Sequence, residues 1–200
     1  MADSSASNST IELVALVASA GGLEAIKRVC AALPADFPAA VVIVQHLDPT
    51  HRSLMAQILG RWVALPVKQA QAGDRPAPGH IYIAPPDHHL CIAPDGRLSL
   101  SVADPVNYSR PSADVLLISV AERCGPRCVA IILTGNGHDG AQGIAAVRAA
   151  GGTTIAQDPA TAEYPGMPRA AIATGCIDRV LPLDRIAPAL VELIHPGAVR

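Results

Sequence analysis

The chain is 200 residues long and half apolar, enough for one well-buried core and short for two independent domains. A net charge of −2 with scattered Lys and Arg leaves no electrostatic footprint for nucleic acid or an anionic membrane, and 2% aromatic residues offer little for stacking bases. No apolar run approaches the roughly 18 residues that cross a bilayer, and the dispersed Cys30, Cys91, Cys124, Cys128 and Cys176 read as reduced thiols of a cytoplasmic protein.

Residues 1–10 are small and polar, without the basic and apolar regions of a signal peptide, and are expected to form a disordered tail before a single domain over 11–200. Ile11–Val17 is a continuous apolar run, as expected of a buried parallel strand, and leads through Ser19 into a helical pattern over Gly22–Leu33. A second strand, Ala40–Gln45, precedes a helix over Arg52–Trp62. From His80 to Ala103 the segments HIYIAP, HLCIAP and RLSLSV are separated by Pro-Asp and Pro-Asp-Gly turns, a pattern that predicts an antiparallel hairpin in or beside the sheet. The helix Ser112–Arg123 and the strand Cys128–Thr134 follow. Then come a helix over Asp139–Ala150, strand Thr153–Gln157, helix Pro168–Ala173, strand Cys176–Leu181 and helix Asp184–Leu193. This alternation predicts an α/β domain, doubly wound on a mostly parallel sheet, with helices on both faces and a small antiparallel hairpin.

Ligands of open α/β sheets sit beyond the carboxyl ends of the strands. Three strands there run into chemically capable loops. Ser19, followed by Gly21 and Gly22, combines a hydroxyl with backbone N–H groups at a helix start, which suits attack on a carbonyl and stabilisation of an oxyanion. The plain reading of the same residue is a helix cap. His46, emerging from an apolar strand, is placed to act as a general base or to be a loop histidine satisfied by Asp48. Asp139 could orient that imidazole or simply favour the start of its helix.

Two other chemistries compete. Gly135-Asn136-Gly137-His138-Asp139-Gly140 spells G-x-G-x-x-G between a strand and a helix, with Asp158 where a ribose-binding acid would lie. The Asp139 carboxylate, however, would sit inside the turn that has to receive a pyrophosphate. His46, His51, His80, His88, His89, His138 and Asp139 are potential metal ligands without a compact ligand spacing, and Cys124 and Cys128 suit buried thiols flanking a turn.

The motifs ASAGG (18–22), VIVQHLDP (42–49), PGHIYIAPPDHHL (78–90), RPSADVLLISVA (110–121), ILTGNGHDGAQG (132–143) and AQDPATAEYPGMPRAAI (156–172), with ATG and VLPL closing at 183, resemble in order the catalytic domain of chemotaxis protein-glutamate methylesterases, the CheB family. The SAGG, QHLDP and AQDP spellings are similar to the esterase-like domains fused to receptor methyltransferases. The resemblance implies a Ser19–His46–Asp139 triad without cofactor or metal. It also implies a substrate and oxyanion region at Ala20, Gly21, Asn136, Gly137, Met167 and Arg169. The implied activity is hydrolysis of glutamyl methyl esters on cytoplasmic helices of chemoreceptors, with glutamine deamidation in some members. A separate response regulator or methyltransferase is the further partner expected, with no receiver domain expected before residue 11. The alternative is a catalytically altered scaffold that binds a receptor or methyltransferase. Ala20 and the Gly135-Asn136-Gly137 turn depart from the family's usual threonine and Gly-Met-Gly.

Overall fold

The computed structural model describes residues 10–194, so the expected N-terminal tail lies, up to residue 9, outside the described residues. In chain order the elements are β1 (Leu13–Ala18), α1 (Gly22–Ala31), β2 (Ala40–Gln45), α2 (Met55–Leu59), β3 (Val67–Gln69), β4 (Ile81–Ile83), β5 (His89–Ile92), β6 (Leu98–Ser101), α3 (Ala113–Cys124), β7 (Cys128–Ile132), α4 (Ala141–Ala149), β8 (Thr153–Gln157), α5 (Gly166–Ala173), β9 (Arg179–Leu181) and α6 (Leu183–Ile194).

The main sheet has seven strands in the order β3-β4-β2-β1-β7-β8-β9, every neighbouring pair parallel. Every residue of β1, β2 and β7 is buried, which is why these strands read as unbroken apolar runs rather than alternating ones. Val14, Leu16 and Ala18 of β1 point to one face and pack under α1, α2 and α6. Leu13, Ala15 and Val17 point to the other and pack under α3, α4, α5 and the hairpin. On α1 the buried set Ala25, Ile26, Val29 and Cys30 follows the helical repeat. β1 and β7 are neighbours, yet the helices that follow them leave to opposite faces. A crevice therefore opens at their carboxyl ends, the usual position for a ligand site in such sheets.

The fold expected from the pattern is the fold observed, with local differences. Ile81–Ile83 is not part of the hairpin: it pairs in parallel with β2 and β3 in the main sheet. Only β5 and β6 form the antiparallel pair, as a separate sheet packed on α3. The turn after β4, with Asp87 at φ 57°, leads the chain out of the main sheet rather than back along it. Edge strand β3 was not anticipated; it is three residues long and carries Lys68 and Gln69, so it has no apolar signature. The expected Cys176–Leu181 strand shortens to Arg179–Leu181 and the expected Arg52–Trp62 helix to Met55–Leu59.

Candidate active site

The loops after β1, β2 and β7 meet above the crevice. The Ser19 N–H donates to the Thr134 carbonyl at 3.0 Å, and the Gly22 N–H donates back to the Ser19 carbonyl at 2.9 Å, closing a tight turn. The cap position of α1 belongs to Gly21, at φ 72° and ψ −1°, so Ser19 is not the helix cap. That left-handed backbone favours glycine. At Gly22 a β-carbon would collide with the Gln45 side chain.

Gln45, the last residue of β2, explains that close approach. Its carboxamide donates to the Ser19 carbonyl at 2.7 Å and to the His46 carbonyl at 3.0 Å, tying the two loops together. Thr134 and Gln157 extend the lacing, since the Thr134 N–H donates to Gln157 Oε1 at 2.8 Å and the Tyr164 N–H donates to Thr134 Oγ1 at 2.9 Å. These bonds fix the loop geometry, although Gln45 Oε1 itself is buried without a partner among the described residues.

His46 Nε2 lies 2.8 Å from Asp139 Oδ2. Asp139 is only 4% exposed and accepts four further bonds. Oδ2 takes the Ala113 N–H at 2.7 Å, while Oδ1 takes Ser112 Oγ at 2.8 Å, Asn107 Nδ2 at 3.0 Å and the Asp114 N–H at 3.1 Å. Ala113 and Asp114 open α3, so the carboxylate occupies a helix N-terminus and supplies the cap that Ser112 does not give. Burial alone would raise this acid; the bonds from His46, Asn107, Ala113 and Ser112 outweigh it and hold Asp139 at about 2. An acid that stays ionised can only accept, so the neutral imidazole carries its proton on Nε2 and presents Nδ1 as its free acceptor.

Ser19 and His46 line one cavity of about 440 Å³, walled by Leu47, Pro49, Asp87, Pro105 and the run from Tyr108 to Pro111. Among the described residues, no hydrogen bond yet joins the Ser19 hydroxyl to His46; such contacts often tighten only with substrate. Arg110 faces this cavity with four of its five N–H groups engaged, Nε and Nη2 donating to Asp87 Oδ1 and Nη1 to the carbonyls of Val102 and Ala103. The N–H groups of Ala20, Gly21, Asn136 and Gly137 donate to no other protein group among the described residues.

The remaining candidates separate. Asn136 and Gly137 are exposed beside the crevice, and Arg169 is exposed on α5. Met167 is 1% exposed and belongs to the core, so it meets the site only from beneath. A β-carbon at Gly135 would collide with Met167 Sδ and lie 2.8 Å from the Ser19 β-carbon. Gly135 is outside the left-handed region, so Gly135→Ala carries a purely steric cost. It is expected to destabilise the fold by about 1–3 kcal/mol and to lower kcat by displacing Ser19, as thermal unfolding and turnover of the same preparation will register.

The rival chemistries find little room. The Gly135 N–H is taken by the Tyr164 carbonyl and its carbonyl by the Met167 N–H, while Gly166 packs on the Gly135–Gly137 backbone. Gly135 at the head of the turn is thus occupied by the chain itself, and the buried Asp139 carboxylate closes the turn's far end against a pyrophosphate. His80 and His88 each bond a nearby proline carbonyl, His89 lies between the Ser112 N–H and the Asp104 carbonyl, and His51 pairs with Asp48. Among the described residues, no three His, Cys, Asp or Glu side chains are grouped to hold a metal ion. A cleft of about 560 Å³ at the opposite edge of the sheet includes Cys124. Burial pushes that thiol up to about 11, leaving it protonated and a poor nucleophile.

A family model described as CheB methylesterase matches residues 14–190. The chain belongs to the CheB methylesterase family. It is 43% identical over 182 residues to the protein-glutamate methylesterase FrzG of Myxococcus xanthus, covering 91% of this chain and 54% of that protein. It is 46% identical over 187 residues to a protein-glutamate methylesterase/protein-glutamine glutaminase of Pseudomonas aeruginosa, covering 92% and 53%. The crystal structure of the Thermotoga maritima CheB methylesterase catalytic domain superposes with a TM-score of 0.88 at 38% identity, over 92% of this chain and 99% of that one. The chain thus spans about half the length of the curated relatives it matches, and 99% of the solved CheB catalytic domain.

Sequence reasoning missed Gln45, Asn107, Ser112 and Asp114 as members of the site. Each is an ordinary polar residue with at least one partner between 7 and 32 positions away. Gln45 offered one signal, a polar side chain ending an otherwise apolar strand.

Proposed function

We propose that this chain is a serine hydrolase that removes methyl esters from glutamyl side chains of chemoreceptors, in a single catalytic domain that works in the cytoplasm. Ser19 is the nucleophile, His46 the general base and Asp139 the orienting acid. The observation that carries this reading is the His46–Asp139 bond on the wall of the cavity that holds Ser19, in a chain of the CheB methylesterase family.

His46 Nδ1 takes the Ser19 proton as Oγ attacks the ester carbonyl, forming a tetrahedral intermediate. The imidazolium keeps its Nε2–H on Asp139, which the start of α3 holds ionised. The ring nitrogens are exchanged relative to the chymotrypsin-type triad, in which Nε2 faces the serine. The unengaged N–H groups of Ala20, Gly21, Asn136 and Gly137 are the donors available to the oxyanion. Collapse of the intermediate returns the proton to the leaving methanol. Water, activated by the same base, then cleaves the acyl bond, restoring the receptor's glutamyl carboxylate and the Ser19 hydroxyl.

Deamidation of glutamine differs only in that ammonia leaves instead of methanol, and relatives that match over 92% of this chain are named for both activities. Substrate contact falls to the cavity wall around Tyr108 and to the Asn136 turn, with Arg169 exposed on α5 and Met167 supporting Ser19 from the core. A fluorophosphonate probe tests the nucleophile. The expected result is one adduct per chain, on Ser19, absent in Ser19→Ala; an unlabelled native protein would favour the scaffold alternative.

A further inference from the structure

Asp139 does not stand alone. A second buried carboxylate, Asp114 at 2% exposure, lies behind it on α3. Asp114 Oδ1 accepts the Gly143 N–H at 2.7 Å. One side chain touches both acids: the Asn107 carboxamide donates to Asp114 Oδ2 at 2.8 Å and to Asp139 Oδ1 at 3.0 Å. Two carboxylates this close repel, and the structure treats them differently. Asp139 has five donors, including His46 and the first N–H groups of α3, and is held low. Burial, with the Asp139 charge adding to it, pushes Asp114 up. A pair of acids whose surroundings drive them apart is the pattern by which sites assign acid and base roles.

Asn107 reaches this place from the loop whose neighbouring residues wall the cavity. It sits in the turn Val106–Ser109, with Asn107 at φ 51° and Tyr108 at φ 62°, closed by hydrogen bonds in both directions between Val106 and Ser109. Asn tolerates the left-handed region well, so the turn alone accounts for the residue type. It does not account for the carboxamide, which leaves the turn to bond two acids on other segments. The turn is pinned on both sides. Arg110 clasps Asp87 and the carbonyls of Val102 and Ala103, and His89 Nε2 donates to the Asp104 carbonyl. The amide is therefore delivered to the acids by a fixed loop whose outer side, Pro105, Tyr108 and Ser109, lines the cavity of Ser19.

We propose that Asn107 is a positioning residue for the hydrolysis: its carboxamide fixes the Asp139 carboxylate so that Oδ2 faces His46, and ties that carboxylate to the substrate-facing loop. This rests on the triad reading given above. The amide draws charge from Oδ1, so its loss leaves Asp139 a stronger partner for the imidazolium and raises the pH at which His46 titrates. The titratable and charged groups around this cluster are Asp139, Asp114 on α3, His89 beneath Ser112, and Asp87 and Arg110 across the cavity, the last two paired with each other.

Two substitutions separate the amide from the turn. Asn107→Gly accepts φ 51° and removes only the carboxamide, and Asn107→Asp keeps the shape but replaces a donor with a third carboxyl. With methyl-esterified receptor as substrate, Asn107→Gly is expected to lower kcat about tenfold with KM within about twofold. In nitrogen NMR of the same protein, His46 is expected to titrate about half a pH unit higher or more. Asn107→Asp should move the titration and the acid limb of kcat/KM further the same way, and it carries the test if the glycine loosens the loop. Wild-type kcat with an unmoved His46 titration overturns the proposal. A loss of kcat with that titration unmoved also overturns it, because it assigns Asn107 to loop structure alone. The titration needs no turnover. If Ser19→Ala retained activity, the hydrolase reading would fall while the NMR result for Asn107 stood.

Discussion

Ser19→Ala is expected to lower ester hydrolysis by at least about 10⁴-fold while leaving the unfolding temperature within about 2 °C of wild type. The hydroxyl caps no helix, and its backbone bonds to Thr134, Gly22 and Gln45 survive the substitution. The change therefore deletes chemistry and little else. Turnover and thermal unfolding measured on one preparation make the comparison, and substantial turnover in the variant would remove Ser19 from its role.

Asp139→Asn is expected to harm both activity and stability. A carboxylate here accepts five donors, among them the first N–H groups of α3. An amide turns its own NH₂ toward some of them and offers His46 a donor where an acceptor stood, which favours the wrong tautomer. The expected loss in kcat is about 10³- to 10⁴-fold. Stranded buried donors and the lost charge at the helix start are expected to cost about 2–4 kcal/mol.

The stability loss also has a signature in pH. Asp139 is held at about 2 against an ordinary 3.8, a difference worth roughly 2 kcal/mol. Because its folded value is depressed, that contribution is complete above about pH 4 and disappears as pH falls through about 2. Asp114, raised by burial and by Asp139, works in the opposite sense, weakening the fold as pH rises through its own titration. The difference between wild type and Asp139→Asn carries the first effect, together with the smaller relief of Asp114 when the Asp139 charge is removed. It should be largest near neutrality and shrink below about pH 3, as denaturant unfolding across that range will register. A difference constant with pH would place the lost stability in packing rather than in the charge.

How much of this was legible before the fold was seen follows from burial. β1, β2 and β7 are covered on both faces, so their sequences are unbroken apolar runs and the loops behind them stand out. Ser19, His46 and Asp139 were reachable because each directly follows or lies just beyond such a strand. β3 was not, because an edge strand of three residues needs no apolar pattern. The IYI segment misled because the Pro-Pro-Asp sequence after it reads as a hairpin turn, whereas it carries the chain out of the sheet. Met167 sits beside Ser19 but under it, a distinction between floor and wall that spacing does not encode. Asn107 stood in an exposed turn among Val106, Tyr108 and Ser109. Its two partners, 7 and 32 residues on, become neighbours only when α3 and the β7 loop pack together.

The most direct test of the central claim is methanol release from methyl-esterified chemoreceptor membranes, with the native chain and Ser19→Ala in parallel. Release by the native chain and none above background by Ser19→Ala is the result expected. Equal release by both would place the nucleophile elsewhere, and no release by the native chain from any of several receptors would contradict the methylesterase reading itself.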